Sequence, residues 1–430
     1  MRTPSAQARL RRPWTCGRAR PAHGRRPQHA VVHDDAAQPA PIDAARALMR
    51  SRGGVLTRRQ ALSTGLRPAE LRTLLRRGEW QVVRCGIYAD AAAAAPDRGA
   101  AHAVEVAARQ RSRTGRHAAS HRSAALVLGI PLLGPPPRQP QLVRAPEPGR
   151  ARDVAKAGGL HVARLEADEV VTCRGVVVTS PARTVCDLAR TSPFREGVIA
   201  ADAVLHAGLP RQELEAMAKR CAAWPGARRM LRVVAFADER AESPLESLDR
   251  VAFAEHGLPV PLTQVDVYAP SGDWLARTDF LFEAERTAVE PDGMAKYRLV
   301  RGQPLPAWAE DALVREKQRE SGLRRCGLEV VRNDWDEAFR RPQDLAARVR
   351  QQFGFAARFP PVPGVRFVQA PVRRRGPLTW PLDAAGATAR DSAPLTPASP
   401  RVWRRAAALP ASESPQRGGS ARSAPASPSV

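Results

Sequence analysis

Hydrophobic residues recur at helical spacing near the start of the chain, and glycines interrupt the pattern where helices should end. Thr57 followed by Gln60 has the sequence of a capping box, which predicts that a helix begins there. Pro68 suits the first turn of another helix, and the runs Trp80–Arg84 and Ile87–Ala89 predict two short strands joined by a tight turn. Three helices closed by a hairpin predict a winged helix-turn-helix domain.

Three structured blocks follow one another along the chain. The winged helix-turn-helix occupies residues 41–96. Residues 97–240 combine amphipathic helices with short β-prone runs, which predicts a mixed α/β scaffold without chemistry of its own. Residues 241–354 begin with a helix opened by Ser243 and continue through three strands, a long amphipathic helix, a fourth strand and a closing helix. The predicted order of this block is αβββαβα, and the predicted fold class of the chain is α+β multidomain.

The two ends, residues 1–40 and 355–430, lack apolar periodicity and are rich in Arg, Pro, Ala and Ser. We expect both to be disordered tails, because such a composition cannot bury a core. No stretch approaches the ~20 apolar residues of a membrane span, and no apolar core follows the basic N-terminus as in a secretory signal. The 6 cysteines contain no CxxC pair, and no histidine spacing matches a zinc motif. These patterns predict a cytoplasmic protein without a membrane partner.

Net charge is +25, and its distribution matters more than its size. Residues 1–41 hold 8 Arg against 2 Asp, and residues 355–430 hold 11 Arg against 3 acidic residues, so the ends carry more than half of the excess. A GC-rich genome also favours arginine. The total charge therefore leaves nucleic-acid binding and a merely solvated basic surface equally open.

The winged helix-turn-helix block has a more specific charge pattern, with 9 Arg and 2 Glu over residues 50–84. Its third predicted helix places two arginines four residues apart on the face opposite its leucines. A helix of this kind enters the DNA major groove, where Arg contacts guanine edges and phosphates. A basic face used for protein contacts is the alternative. The candidate DNA-binding residues are Arg58, Arg59, Arg72, Thr73, Arg76 and Arg84.

Carboxylates in the third block suggest a metal site. Asp279 and Glu290 lie near the ends of consecutive antiparallel strands, where they can share a hard cation. Mg²⁺ prefers one or two carboxylates, water and phosphate oxygens, and it can activate water against a phosphodiester while a lysine balances negative charge. The candidate metal ligands are Asp279, Glu290 and Asp292. The candidate catalytic residues are Asp279, Glu290, Lys296, Glu246, Glu316 and Lys317.

Each of these residues also has a structural interpretation. Glu246 fits the third position of a capping box opened by Ser243, which would make it a helix-start residue. The sequence from Glu290 through Pro291 to Gly293 is an ordinary turn. Glu316 and its neighbouring lysine suit an exposed helix surface. Only their order along the predicted αβββα frame favours catalysis.

The third block resembles the restriction-endonuclease-like (PD-(D/E)XK) superfamily, and more closely proteins related to the very-short-patch repair endonuclease. The matching segments are residues 242–246, 277–280, 289–293, 296–297, 315–320 and 327–332. The resemblance implies a magnesium-dependent nuclease with Asp279 and Glu290 as metal ligands and Glu246 as an auxiliary acid. The family's lysine two residues after the glutamate is replaced here by Asp292, so Lys296 or Lys317 would have to act from elsewhere.

The first block, through residues 54–61 and 86–89, resembles the winged-helix domain of AbiEi-like type IV antitoxins, and residues 178–189 recur in actinobacterial proteins that join the same parts. The combined resemblance implies a DNA-binding, magnesium-dependent endonuclease in phage defence or a toxin–antitoxin setting. The alternative is a non-catalytic transcriptional repressor or antitoxin with a degenerate nuclease-like scaffold. A cognate toxin or a second copy of the chain are the candidate protein partners. A weaker third possibility is a protein-interaction adaptor without a nucleic-acid role.

Overall fold

Three β-sheets with surrounding helices make up this protein, seen in a computed structural model that describes residues 40–94, 98–113, 117–146, 159–173, 175–291 and 307–374. The first part contains one antiparallel sheet with strand order β1-β3-β2. Its elements are α1 (Pro41–Ser51), β1 (Val55–Thr57), α2 (Arg58–Ser63), α3 (Pro68–Arg76), β2 (Trp80–Arg84) and β3 (Ile87–Asp90).

Local sequence signals fix where the helices of this first part begin. The Thr57 hydroxyl accepts the N–H of Gln60, whose side chain in turn accepts the Thr57 N–H, so the predicted capping box is present. Pro68 occupies the first turn of α3, as predicted. Strand β1 was not predicted, because three residues are too short to show a period of two. Its Val55 and Leu56 are fully buried.

The middle part contains a five-stranded mixed sheet of order β6-β5-β4-β8-β7 with helices packed against it. The largest apolar core of the described residues lies here. Helices α5, α6 and α9 and strands β4 and β7 were not predicted. The elements are α4 (Arg98–Arg111), β4 (Ala118–Ala119), α5 (His121–Leu128), β5 (Leu142–Arg144), β6 (Leu160–Val162), β7 (Val170–Cys173), β8 (Val176–Thr179), α6 (Pro181–Thr191), α7 (Phe194–His206), α8 (Arg211–Arg220) and α9 (Ala227–Phe236).

The last part contains a five-stranded sheet of order β12-β11-β10-β9-β13, in which β11 and β12 are parallel and the other neighbours antiparallel. The predicted αβββαβα order is present, with α13 as its closing helix, and α12 and β13 are additional. The elements are α10 (Pro244–Glu255), β9 (Leu262–Tyr268), β10 (Trp274–Phe282), β11 (Thr287–Pro291), α11 (Ala307–Arg325), β12 (Glu329–Asn333), α12 (Trp335–Arg340), α13 (Pro342–Ala356) and β13 (Arg366–Gln369).

Residues 355–374 differ from the sequence-based expectation of a disordered tail. They complete α13 and then form β13, which pairs with β9 through the register Phe367↔Val267. Main-chain hydrogen bonds and one half-buried aromatic ring are enough to order such a strand when a neighbouring edge is available, whatever the surrounding composition. None of the described helices is long and apolar enough to span a membrane.

Candidate functional site

A row of polar side chains crosses four strands of the last sheet. The register of β10 and β11 aligns Phe280 with Val289, so the residues next to them, Asp279 and Glu290, face each other across the two strands. Glu290 is in turn aligned with Arg332 on the parallel strand β12. The two carboxylates that the sequence nominated therefore share one face of the sheet.

Glu290 is the most constrained member of this row. The residue as a whole exposes only 4% of its surface. Its Oε2 atom accepts hydrogen bonds from Arg319 Nη2 at 2.7 Å and from Arg332 Nη2 at 3.1 Å, whereas its buried Oε1 atom has no hydrogen-bond partner. One oxygen of the carboxylate is thus shared by two guanidinium groups, and the other is buried without a donor.

Asp279 is linked to α10 by an amide. The Nε2 atom of Gln264 donates to Asp279 Oδ1 at 3.0 Å and to Glu246 Oε2 at 3.2 Å. Gln264 has a φ of 52°, in the left-handed region that non-glycine residues rarely adopt, within strand β9. Such backbone strain persists where surrounding contacts over-determine a conformation, and it is common at functional positions.

Glu246 combines its place in this site with the helix-start role that its sequence suggested. Its Oε1 accepts from the Ser243 hydroxyl at 2.8 Å and its Oε2 from the Glu242 N–H at 2.9 Å, while the Glu246 N–H donates to the Ser243 hydroxyl at 3.2 Å. Ser243 therefore caps α10 as predicted, whereas the reciprocal bond of a capping box is replaced by one from the Glu242 N–H to the Glu246 carboxylate. Because Gln264 joins it to Asp279, the same carboxylate is also part of the acidic row.

Burial of several carboxylates together raises their pKa values. Burial and the negative charge of Asp279 raise the pKa of Glu246 to about 7. Burial also raises the pKa of Asp279 and of Glu290, the latter despite the opposing charges of Arg319 and Arg332. Raised pKa values mean that the site binds protons more readily than free carboxylates do, and a bound cation would relieve the same electrostatic cost.

A further buried carboxylate lies next to this row. Asp249 is fully buried on α10, and its Oδ1 accepts from Asn333 Nδ2 at 2.8 Å. Burial raises its pKa well above the usual range, with a further contribution from the charges of Glu246 and Asp279. Sequence reasoning missed Asp249, because its partner is 84 residues away in the chain.

The nominated residues of α11 are distributed over two sides of that helix. Glu316 belongs to the acidic site, since it accepts from Arg319 Nη2 at 2.5 Å and also pairs with Arg332. Lys317 is exposed and lies with Gln318, Ser321 and Arg325, so the described structure does not bring it to the carboxylates. Asp292 and Lys296 lie outside the described residues.

Arg319 and Arg332 are the functional candidates that sequence reasoning overlooked. Glu316 and Arg319 are one helical turn apart, a spacing at which opposite charges meet. The spacing of Glu316 and Arg319 is visible in the sequence. The sequence does not show that β11 pairs in parallel with β12, which brings Arg332 to Glu290.

The acidic site offers the type of ligand that Mg²⁺ uses, but few such ligands. The unpartnered Oε1 atom of Glu290 and the facing carboxylate of Asp279 supply hard oxygen donors of the type that Mg²⁺ uses. Among the described residues, no three His, Cys, Asp or Glu side chains lie close enough to hold a metal ion together. Two carboxylates with water would therefore be the protein's contribution within this part of the chain.

The basic candidates on α2 and α3 are mostly directed to solvent. Arg58, Arg59, Arg72 and Arg76 are exposed, while Leu71 and Leu74 on the other side of α3 are buried. Thr73 is half-buried; its hydroxyl donates to the Ala69 carbonyl at 3.0 Å and accepts from Arg76 at 3.2 Å. Arg84 differs from the rest, because it pairs with Glu105 of α4 at 3.4 Å.

Among the described residues, the histidines of the middle part belong to no group of three potential metal-ligating side chains. His121 and His161 stack with ring centroids 4.1 Å apart. His121 also contacts the Ser120 hydroxyl at 3.0 Å and Arg190 at 3.3 Å. Burial lowers the pKa of His121 to about 4, so this imidazole is neutral at physiological pH.

The described residues thus define a mixed α/β protein with an acidic site on one sheet and a basic helix face elsewhere. No known protein family profile matches the chain. Two uncharacterised proteins from two strains of Mycobacterium tuberculosis are 30% identical to it over 176 residues, which are 41% of this chain and 61% of theirs. The chain therefore spans less than two thirds of the length of these relatives. The crystal structure of another M. tuberculosis protein aligns with a TM-score of 0.29 and 17% identity, over 49% of this chain and 80% of that chain.

Proposed function

We propose that this protein binds double-stranded DNA through α3 and its neighbour α2, and that its acidic site hydrolyses phosphodiester bonds with Mg²⁺. The observation that carries the proposal is the pair of exposed arginines, Arg72 and Arg76, on the side of α3 opposite its buried leucines. Arginines one helical turn apart on such a face suit guanine edges and phosphates in a major groove.

The order of elements around α3 supports a winged helix as the DNA-binding unit. Helix, short strand, two helices and a two-stranded hairpin follow one another, and β1 joins the hairpin to make a three-stranded sheet. The N–H of Arg58, at the start of α2, donates to the Gly86 carbonyl in the hairpin turn at 2.8 Å. This hydrogen bond fixes α2 relative to the hairpin, and a rigid DNA-binding unit needs such a connection.

The acidic row supports the hydrolytic part of the proposal. Asp279 and the free oxygen of Glu290 would hold Mg²⁺, which when bound polarises a phosphodiester and activates water. Gln264 orients the Asp279 carboxylate through its 3.0 Å hydrogen bond. Glu246, with a pKa of about 7, is able to accept or release a proton near neutrality.

The pairing of Glu290 favours a second candidate function. Arg319 and Arg332 already neutralise this carboxylate, as expected of a nuclease-like scaffold that has lost its metal. In that case the protein is a non-catalytic repressor or antitoxin, which reads an operator through α3 and uses the last sheet to contact a toxin or a second copy of the chain.

Cleavage of DNA separates the two candidates. We expect the purified chain to nick or cut duplex DNA in Mg²⁺ and not in EDTA, and Asp279→Asn to lose at least about 100-fold in rate, because removing a metal-binding charge removes its transition-state stabilisation. Asp273→Asn, in the exposed β9–β10 turn, is the matched control and should retain full activity. Absence of cleavage, or equal cleavage by both variants, leaves only the non-catalytic function.

Binding of duplex DNA tests the α3 surface independently. We expect Arg72→Ala/Arg76→Ala to weaken affinity by roughly 10-fold or more and to reduce the slope of log K against log salt by about 2, since two phosphate or base contacts are lost. Arg228→Ala/Arg232→Ala removes two exposed arginines at the same spacing from α9 and is the control. If both double variants bind equally well, α3 is not the DNA-binding helix.

A further inference from the structure

We propose that Arg319 and Arg332 bind a nucleic-acid phosphodiester after a divalent cation has bound at Glu290. Until then, both arginines are paired with the Glu290 carboxylate. Cation binding and nucleic-acid binding at the acidic site would then strengthen each other. The inference rests on the proposed function, because it takes this site as one that receives a cation and a phosphodiester.

The arrangement of the two arginines around one carboxylate is the first support. Arg319 on α11 and Arg332 on β12 both donate to Glu290 Oε2, and both also pair with Glu316. The Arg319 and Arg332 side chains are 31% and 30% exposed, whereas the Glu290 side chain is 6% exposed. The guanidinium groups are therefore accessible from solvent on one side while they hold a buried acid on the other.

The unequal use of the two Glu290 oxygens is the second support. Both arginines approach Oε2, and the buried Oε1 atom has no hydrogen-bond partner. A carboxylate oxygen buried without a donor is costly, and the strand register places the residue that carries it opposite Asp279. A cation beside Oε1 would satisfy that oxygen without first displacing either arginine.

Electrostatics then links the cation to the arginines. A divalent cation on Glu290 takes up the negative charge that holds the guanidinium groups, and it repels them directly at short range. Arg319 and Arg332 would keep their contacts with Glu316, and the donors that Glu290 releases would become free for a second anion. A phosphodiester suits them, since the planar guanidinium fork matches two phosphate oxygens at once.

Reciprocity follows from thermodynamics. If the cation raises affinity for the phosphodiester, the phosphodiester must raise affinity for the cation by the same factor. Without nucleic acid the positive charges of the two arginines beside Glu290 repel the cation, so the free protein binds the cation weakly. The acidic site would therefore bind a cation mainly when nucleic acid is also bound.

Duplex affinity with and without Ca²⁺ tests the coupling. Ca²⁺ binds the same carboxylate oxygens as Mg²⁺, and gel electrophoresis of the recovered duplex would verify that it stays intact. We expect Ca²⁺ to tighten binding to the full chain by roughly 10-fold, within the usual range of such couplings. Arg319→Gln and Arg332→Gln should each reduce this effect to about twofold or less, and Mn²⁺ titration followed by electron paramagnetic resonance should show that both variants bind the free cation more tightly than wild type.

Arg324→Gln is the matched control, because Arg324 lies on the same helix and pairs with Glu320 and Glu329 rather than with Glu290. It should keep the full Ca²⁺ effect. Should circular dichroism show that Arg319→Gln fails to fold, Arg319→Lys keeps the charge without the fork and should still lose most of the coupling. Equal tightening in wild type and both glutamine variants, or no tightening in wild type, overturns the inference.

The outcome is separable from that of the proposed nuclease. If Mg²⁺ supports no cleavage while Ca²⁺ tightening depends on Arg319, hydrolysis is rejected and the coupling stands. If Asp279-dependent cleavage occurs while Arg319→Gln and Arg332→Gln keep the full tightening, the coupling is rejected and hydrolysis stands.

Discussion

Asp249 and Asn333 are paired through only half of their polar atoms. Asn333 Nδ2 donates to Asp249 Oδ1 at 2.8 Å, and both Asp249 Oδ2 and Asn333 Oδ1 are buried without a partner. One proton on Oδ2 would supply the missing donor and convert the contact into a reciprocal acid–amide pair. Burial raises the pKa of Asp249 and so favours the protonated form over the carboxylate.

This pairing predicts an unusual response to Asp249→Asn. The new amide can accept from Asn333 and donate to it without binding a proton, so we expect the free energy of unfolding at pH 7 to stay the same or rise by about 1 kcal/mol. Asp249→Ala, which leaves Asn333 unpaired, should lose about 2–3 kcal/mol. Urea denaturation of the two variants measures the difference, and an equal loss in both would disprove the neutral carboxyl.

Helix starts were predictable in this protein because capping is a local interaction. Thr57 and Ser243 were nominated from three-residue spacings and Pro68 from its preference for the first turn, and all three occupy those positions. The acidic row was predictable only in part. Consecutive antiparallel strands brought Asp279 to Glu290, whereas parallel pairing of β11 with β12 depends on contacts that no short sequence window contains.

The capping box of α2 predicts the cost of removing its hydroxyl. Thr57→Ala should lower the free energy of unfolding by about 1 kcal/mol, because the Gln60 N–H loses its acceptor. Ser63→Ala serves as control, since its hydroxyl donates only to the Gln60 carbonyl within the exposed end of the same helix. A cost for Ser63→Ala equal to that for Thr57→Ala would mean that the box contributes nothing specific.

At the scale of the whole molecule, a buried charge joins the middle part to the last one. Asp202 on α7 is 1% exposed and accepts from the Asp238 N–H at 2.7 Å. Its other oxygen accepts from Ser247 at 2.8 Å and from Arg250 at 2.7 Å, both on α10. The helix that carries Glu246 is therefore anchored to a helix of the preceding block, a dependence that the sequence could not reveal.

Removing this anchor should be costly for the chain. We expect Asp202→Ala to lower the free energy of unfolding by about 3–5 kcal/mol, because it leaves Arg250 largely buried beside a more distant carboxylate. Asp168→Ala removes an acid from an exposed, solvent-screened pair with Arg220 and should leave the melting temperature nearly unchanged. Thermal denaturation of both variants would show the contrast, and similar melting temperatures would argue against α10 depending on α7.

The short strand β13 determines where this protein can be truncated at its C-terminal end. It covers the outer side of β9, and the Ala370 N–H donates to the Gln264 carbonyl at 2.8 Å, beside the residue that orients Asp279. The sequence composition suggests residue 354 as the end of the folded part. A chain truncated there would lack β13, so the edge of β9 that β13 covers would have unpaired peptide groups and could associate with other molecules. Ending the chain after residue 374 preserves this shield.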